Sequence, residues 1–236
     1  VATFPLPVGY DRIAVVGSFD ELVGTPMAGR VNAICWPRDL PGDFAEVLAA
    51  LDPGDGISHV DEPRLAGLPV GPAGRTAVAT LLADLQRLRE RGHEPGVDCV
   101  RGYSRDQQDR DLPTDVMSFH VDSATVPTDT FLCTYAGAPS EGLRNDEAVR
   151  RIDDPDLRAR LLARHGGADG DGFRDYLTEH FHDLHYRPVS GARPFSFGVG
   201  NLWRIAVAWP GCPVPPCVHR APAAGPGEPP RLLLIS

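Results

Sequence analysis

Glycine and proline break this chain at short intervals. There are 25 glycines and 24 prolines among 236 residues. Few stretches are long enough for an extended helix, so the chain must build from short strands, turns and brief helices. One segment escapes this punctuation. Over residues 75–91, Val78, Leu81, Leu82, Leu85 and Leu88 recur on one helical face, with arginine and glutamate on the other. Gly92 follows as its stop. Before it, residues 12–19 and 31–36 read as strands and residues 43–51 as a helix behind Pro41-Gly42. After it, residues 97–103, 116–121 and 130–135 read as strands separated by polar turns.

Residues 145–164 are charged and amphipathic and read as a helical insert. A glycine-rich break over residues 166–172 precedes a second short helix within 173–184. Strand signals return at 195–199, 202–209, 217–219 and 231–235. The expected fold is mainly β with flanking helices: one domain over residues 1–236, in which about 1–95 buttress a β-rich core over 96–236, with an insert at 145–184. A sandwich or short barrel is the simplest architecture for that order.

Several function classes lose support. The net charge is −9 and all 23 basic residues are arginine, so there is no basic stripe for nucleic acid. No run of 18 apolar residues offers a membrane span. Residues 1–10 lack a basic segment followed by an apolar one, which leaves a cytoplasmic protein as the expectation. Neither a GxGxxG nor a GxxxxGK[ST] run follows a strand. The five cysteines are odd in number in a chain of ample size, so a disulfide framework is not expected. Monomer and homodimer both remain open.

The chemistry concentrates in Phe119-His120-Val121-Asp122. Residues two apart on a strand point to one face, so His120 and Asp122 can aim at one metal ion. A second imidazole completes a facial triad that leaves the opposite coordination positions free. His219, near the end of the β-rich half, is the natural third ligand. Arg231 follows twelve residues later at the start of the last strand, where its planar fork can grip a carboxylate of a dicarboxylic co-substrate. Tyr103 can hydrogen-bond the same carboxylate or simply pack in the barrel.

The letters HxD alone decide little, because Ser58-His59-Val60-Asp61 has them too. That copy is set aside as lying in a Pro/Gly-rich loop with no strand behind it. Cys212, Cys217 and His219 form part of a zinc-like spacing, without a source for a fourth ligand, and read as loop residues. His180, His182 and His185 read as a solvated helix end facing the dipole.

A strand-borne HxD, a distal histidine and a following arginine resemble the iron(II)- and 2-oxoglutarate-dependent oxygenases. Longer stretches resemble one bacterial family of unknown function within that superfamily. They are Val31-Asn32-Ala33-Ile34-Cys35-Trp36-Pro37-Arg38, Phe119-His120-Val121-Asp122, Leu132-Cys133-Thr134-Tyr135-Ala136-Gly137, Val218-His219-Arg220-Ala221-Pro222 and Arg231-Leu232-Leu233-Leu234. The resemblance implies a double-stranded β-helix, a jelly-roll of the cupin-like kind. It also implies Fe(II) held by His120, Asp122 and His219, 2-oxoglutarate at Arg231, and molecular oxygen as a reactant. The expected activity is oxidation of an unactivated C–H bond of a small, amino-acid-like metabolite, by hydroxylation, desaturation or cyclisation. Arg144, Arg105 and Glu141 are its candidate substrate contacts. Glu141 sits in a loop, residues 137–142, that departs from the family pattern. Two other readings stand beside this one: a cupin-like metalloenzyme without 2-oxoglutarate, and a non-catalytic binding module.

Overall fold

The computed structural model describes residues 6–103, 112–222 and 229–236. In chain order its strands and helices are β1 Ile13–Val15, α1 Phe19–Gly24, β2 Ala33–Trp36, α2 Phe44–Leu51, β3 Gly56–His59, α3 Glu62–Ala66, α4 Pro72–Arg89 and β4 Gly96–Arg101. There follow β5 Asp129–Ala136, β6 Glu141–Gly142, β7 Ala148–Arg150, α5 Pro155–His165, α6 Asp171–Glu179, β8 Tyr186–Pro188, β9 Phe195–Ser196, β10 Leu202–Ala206, β11 His219–Arg220 and β12 Arg231–Ile235.

Seven strands form one sheet in the order β1-β2-β10-β5-β12-β4-β3. Only β1 and β2 run parallel; the other neighbours are antiparallel. A second sheet has the order β11-β6-β9, and β7 pairs with β8. The fold is therefore mixed α/β, a large sheet with flanking helices, which corrects the mainly-β expectation. Residues before 96 supply the helices α1 to α4 and also the strands β1, β2 and β3 of the large sheet.

The sheet is covered on both faces, and side-chain alternation sorts its residues. Along β5, Phe131, Cys133 and Tyr135 pack in one core with Val78, Leu81, Leu85 and Leu88 of α4. Leu132 turns the other way, into a core with Trp203, Phe195, Phe197 and Cys217. On β2, Ile34 joins the helical side while Ala33 and Cys35 join the other. Strands buried on both faces read as continuous apolar runs, which is why β5 and β12 stand out in the sequence. Each fully buried leucine on α4 contributes roughly 1.5–3 kcal/mol.

The helices begin where their caps dictate. Ser18, Asp43, Asp61 and Asp154 each accept a backbone amide of the first turn of α1, α2, α3 and α5. Helix α4 starts with Pro72 in its first turn, and Gly92 turns the chain after it at φ +82°.

The insert differs from the expectation. It opens with a 3₁₀ turn and β7, and helix begins only at Pro155. Helices α5 and α6 pack around Leu157, Leu161, Phe173 and Leu177, with Leu112 and Ile152. The β7–β8 ladder clamps the base of this unit.

Candidate metal centre

His120 and His219 are held side by side by two backbone bonds. Each donates its amide to the other's carbonyl at 2.9 Å. On the other flank, Val121 donates to Leu184 and Tyr186 donates to Phe119, so His120 also bridges to His185. The expected strand over residues 116–121 is thus replaced by isolated bridges. The pairing partners come from distant segments, so no local periodicity produces a ladder there. His120 and Asp122 still converge.

The three candidate ligands meet. Ligand atoms of His120, Asp122 and His219 lie within 4.8 Å of one another. Asp122 Oδ1 is 3.9 Å from His120 Nε2 and 3.7 Å from His219 Nε2. Ligands about 2.1 Å from one ion in a facial arrangement stand roughly 3 Å apart. Closing the three onto an ion needs a shift of less than about 1 Å.

Their hydrogen bonds fix the ligating atoms. The Nδ1 of His120 lies 2.8 Å from the Ser118 carbonyl, and that of His219 3.2 Å from the Cys217 carbonyl. A carbonyl only accepts, so Nδ1 carries the proton and Nε2 presents its lone pair. The Thr130 hydroxyl donates to Asp122 Oδ2 at 2.6 Å, leaving Oδ1 to the imidazoles. Burial, then the neighbouring His219, holds the His120 imidazole well below its ordinary pKa and keeps it neutral. Burial opposes the Asp122 carboxylate, but His219, the Thr130 hydroxyl and His120 outweigh it and bring the carboxyl below its usual value. Neutral imidazoles and an ionised carboxylate are the forms that ligate.

Arg231 is 4 % exposed. Its guanidinium donates to the Ala138 carbonyl at 2.6 Å, to Ser140 Oγ at 3.0 Å, to Thr134 Oγ1 at 3.4 Å and to the Tyr103 hydroxyl. All four acceptors are neutral, and among the described residues no carboxylate pairs with it. Burial lowers its pKa. A buried cation without a counter-ion is costly and invites an anion. Thr134, which meets Arg231, and Thr130, which meets Asp122, share one face of β5. Ser140, which also meets Arg231, is two residues from Gly142, the cross-strand partner of His219. Arg231 and Asp122 are therefore both tied to the same face of β5, through Thr134 and Thr130.

Gly137 makes room for this arginine. Its φ is +81°, and a Cβ there would stand 2.5 Å from the Pro230 carbonyl and 2.9 Å from Arg231 Cα. Gly142 is small for a similar reason: a Cβ would strike the rings of Phe195 and Phe197, and Phe197 lies parallel to the His219 ring at 6.4 Å.

Other expected residues fall elsewhere. Glu141 pairs with Arg220 across β6 and β11 at 2.6 Å, on the face opposite Gly142 and His219. Arg144 bonds Asp146 at 2.8 Å and the Val8 carbonyl. Arg105 lies outside the described residues. His59 does have a strand behind it, β3, which corrects the reason for setting it aside. It is exposed beside Asp98, and Asp61 caps α3 instead of facing a metal. Cys212 donates to the Val214 carbonyl, and Cys217 meets His219 through its backbone carbonyl. Of the three insert histidines, His182 and His185 are 4 % exposed, not solvated. His185 lines a cavity with His120 and Asp122.

The sequence reading missed Thr130, Thr134 and Ser140. The two threonines were visible as polar residues at alternate positions of an apolar strand. Asp84 was missed too. It is wholly buried on α4, bound to Arg38 at 2.6 Å and accepting the Tyr135 hydroxyl at 2.7 Å. It stands three residues after Leu81 and four before Leu88, a carboxylate inside the apolar stripe.

Among the described residues no helix is long and apolar enough to cross a membrane. Compared with protein-family models, with curated proteins and with solved structures, the chain matches none.

Proposed function

We propose that this chain is an iron(II)- and 2-oxoglutarate-dependent oxygenase acting on a small molecule. The observation that carries the reading is the pairing of two features tied to one face of β5: a His-Asp-His triad with its ligating atoms turned together, and a buried arginine with which no carboxylate pairs among the described residues. Two imidazoles and one carboxylate suit non-haem iron(II). The large and small sheets, with His120 bridging between His219 and His185, support a distorted double-stranded β-helix as the underlying fold.

When bound, iron(II) with 2-oxoglutarate and oxygen supplies the power to oxidise an unactivated C–H bond, releasing succinate and carbon dioxide. The chain's own part is to hold and to exclude. The Ser118 and Cys217 carbonyls fix both imidazole tautomers. Thr130 keeps Asp122 to one free oxygen. Arg231 receives the far carboxylate of the co-substrate, with Tyr103, Thr134 and Ser140 aligning its fork. Burial of these groups strengthens each contact by excluding water.

The test is iron-dependent conversion of 2-oxoglutarate to succinate by the full chain. His120→Ala and His219→Ala should abolish both iron retention and turnover. Arg231→Ala should leave iron content intact and weaken 2-oxoglutarate by roughly 10- to 100-fold, the value of a lost charge-assisted contact. Full iron retention in both histidine variants would remove the metal centre, and an unchanged 2-oxoglutarate affinity would remove the co-substrate.

A further inference from the structure

The cavity above His120 and Asp122 has a character that narrows what can enter it. Its volume is about 450 Å³, in the range that holds a small organic molecule. Three segments distant in sequence bring exposed apolar side chains to its rim. Val116 is 43 % exposed, Phe181 57 % and Ile235 41 %. Leu184 and Val121 add apolar wall deeper in. Exposed apolar side chains gathered at one opening mark a contact surface, whereas scattered ones mark nothing.

Phe181 carries a second sign. It sits in the left-handed region at φ 59°, ψ 16°, where a bulky residue costs on the order of 1–3 kcal/mol. Two bonds hold it there: its carbonyl accepts the Leu184 amide at 3.3 Å and lies 2.8 Å from His185 Nδ1. The fold thus spends stability to place a phenyl group, half in water, at the edge of the candidate metal centre.

The charges point the same way. Among the described lining residues there is no arginine. Asp122 faces the imidazoles, and Asp115 Oδ1 is taken up by the Met117 and Ser118 amides and the Ser118 hydroxyl. Without an ion, Asp122 has only neutral imidazoles beside it; with iron(II) bound, the ion's two charges would be balanced by Asp122 and one co-substrate carboxylate, so in either state nothing described there would compensate a carboxylate on the substrate. Arg144, the described cation expected to receive one, is bound to Asp146 and does not line the cavity.

We infer that the substrate enters between Val116, Phe181 and Ile235 and presents to the metal a neutral, apolar body that carries no carboxylate. The word substrate rests on the function proposed above; the selectivity of the cavity does not. This replaces the amino-acid-like expectation with a hydrocarbon or aromatic portion of a non-acidic molecule.

The experiment compares indole with indole-3-carboxylate on the metal-free full chain by saturation-transfer NMR. Indole should bind at least tenfold tighter. Phe181→Ser and Val116→Ser, both at exposed positions, should each weaken indole severalfold. Failure of indole to bind, equal or tighter binding of the carboxylate, or indifference to both substitutions overturns the inference. Manganese(II) is then added as a probe for the ion. Relaxation of bound indole protons by manganese, lost in His219→Ala, supports entry over the metal. Retained manganese without that relaxation overturns it. A chain that holds no manganese defeats the metal-centre reading instead, and the indole comparison still judges the cavity.

Discussion

The Thr130 hydroxyl donates to Asp122 Oδ2 at 2.6 Å, and through this bond β5 of the large sheet sets the carboxylate of the triad. One oxygen is held by the strand; the other faces His120 and His219. Removing the hydroxyl frees the carboxylate to rotate. Thr130→Val keeps the β-branched shape and should lower metal affinity about 10- to 100-fold. Chelator competition measures this. Thr130→Ser should restore most of the affinity, because it restores the donor. An equal loss in both variants would assign Thr130 a packing role only.

Gly137 and Arg231 form the second coupled pair. Gly137→Ala adds a Cβ 2.5 Å from the Pro230 carbonyl and requires alanine at φ +81°. The expected cost is roughly 1–3 kcal/mol, seen as a lower urea midpoint. The strand start must shift to relieve the contact, taking Arg231 with it. Affinity for 2-oxoglutarate should therefore fall while metal affinity holds. Equilibrium dialysis of each ligand separates the two effects.

The buried Arg38–Asp84 pair predicts a large and asymmetric response. Arg38→Met leaves the Asp84 carboxylate buried with only the Tyr135 hydroxyl and partly exposed Arg87 beside it. The expected loss is about 3–5 kcal/mol. Replacing both, as Arg38→Met with Asp84→Leu, should recover much of it, because no buried charge is then left unpaired; Arg87, which also loses Asp84, is half exposed. Denaturant unfolding of the single and double variants gives the comparison. Equal losses in both would show that the pair is worth its Coulomb attraction.

That pair also shows why some of this protein was legible in its sequence and some was not. Strand β12 matches its expected bounds because a continuous apolar run admits few alternatives. The amphipathic stripe placed α4 to within a turn at its start. Arg38 and Tyr135 lie inside two stretches that carried the family resemblance, yet both meet Asp84, not the triad. Their role is to tie α4 to the sheet. The histidines of the triad were legible by type and order. Their setting was not: His120 is seated by His219 and His185, which arrive from elsewhere in the chain, and a window around residue 120 holds no trace of either. The same limit explains His185, whose burial depends on the insert folding back over it. Asp84 and Thr130 had a local signal, a polar residue where the apolar period calls for a nonpolar one, and a reading alert to broken periods would find both.

Acid should weaken the metal-free fold through these same imidazoles. Burial lowers the pKa of His120 and of His185 below the ordinary histidine value, so the native state holds both neutral. The unfolded chain takes up protons near the ordinary value of about 6.5. Below that pH the unfolded state binds more protons than the native one, so stability falls as pH falls. The contribution is fully present above about pH 6.5 and is lost progressively as the pH approaches the lowered native values. Urea unfolding of the metal-free chain should therefore give a lower midpoint at pH 5.5 than at pH 7.5. The double variant His120→Asn, His185→Asn removes two of the groups that charge on unfolding and should reduce the difference. A wild-type midpoint that is flat or rises on acidification across this interval would show that the two imidazoles are not held neutral in the fold.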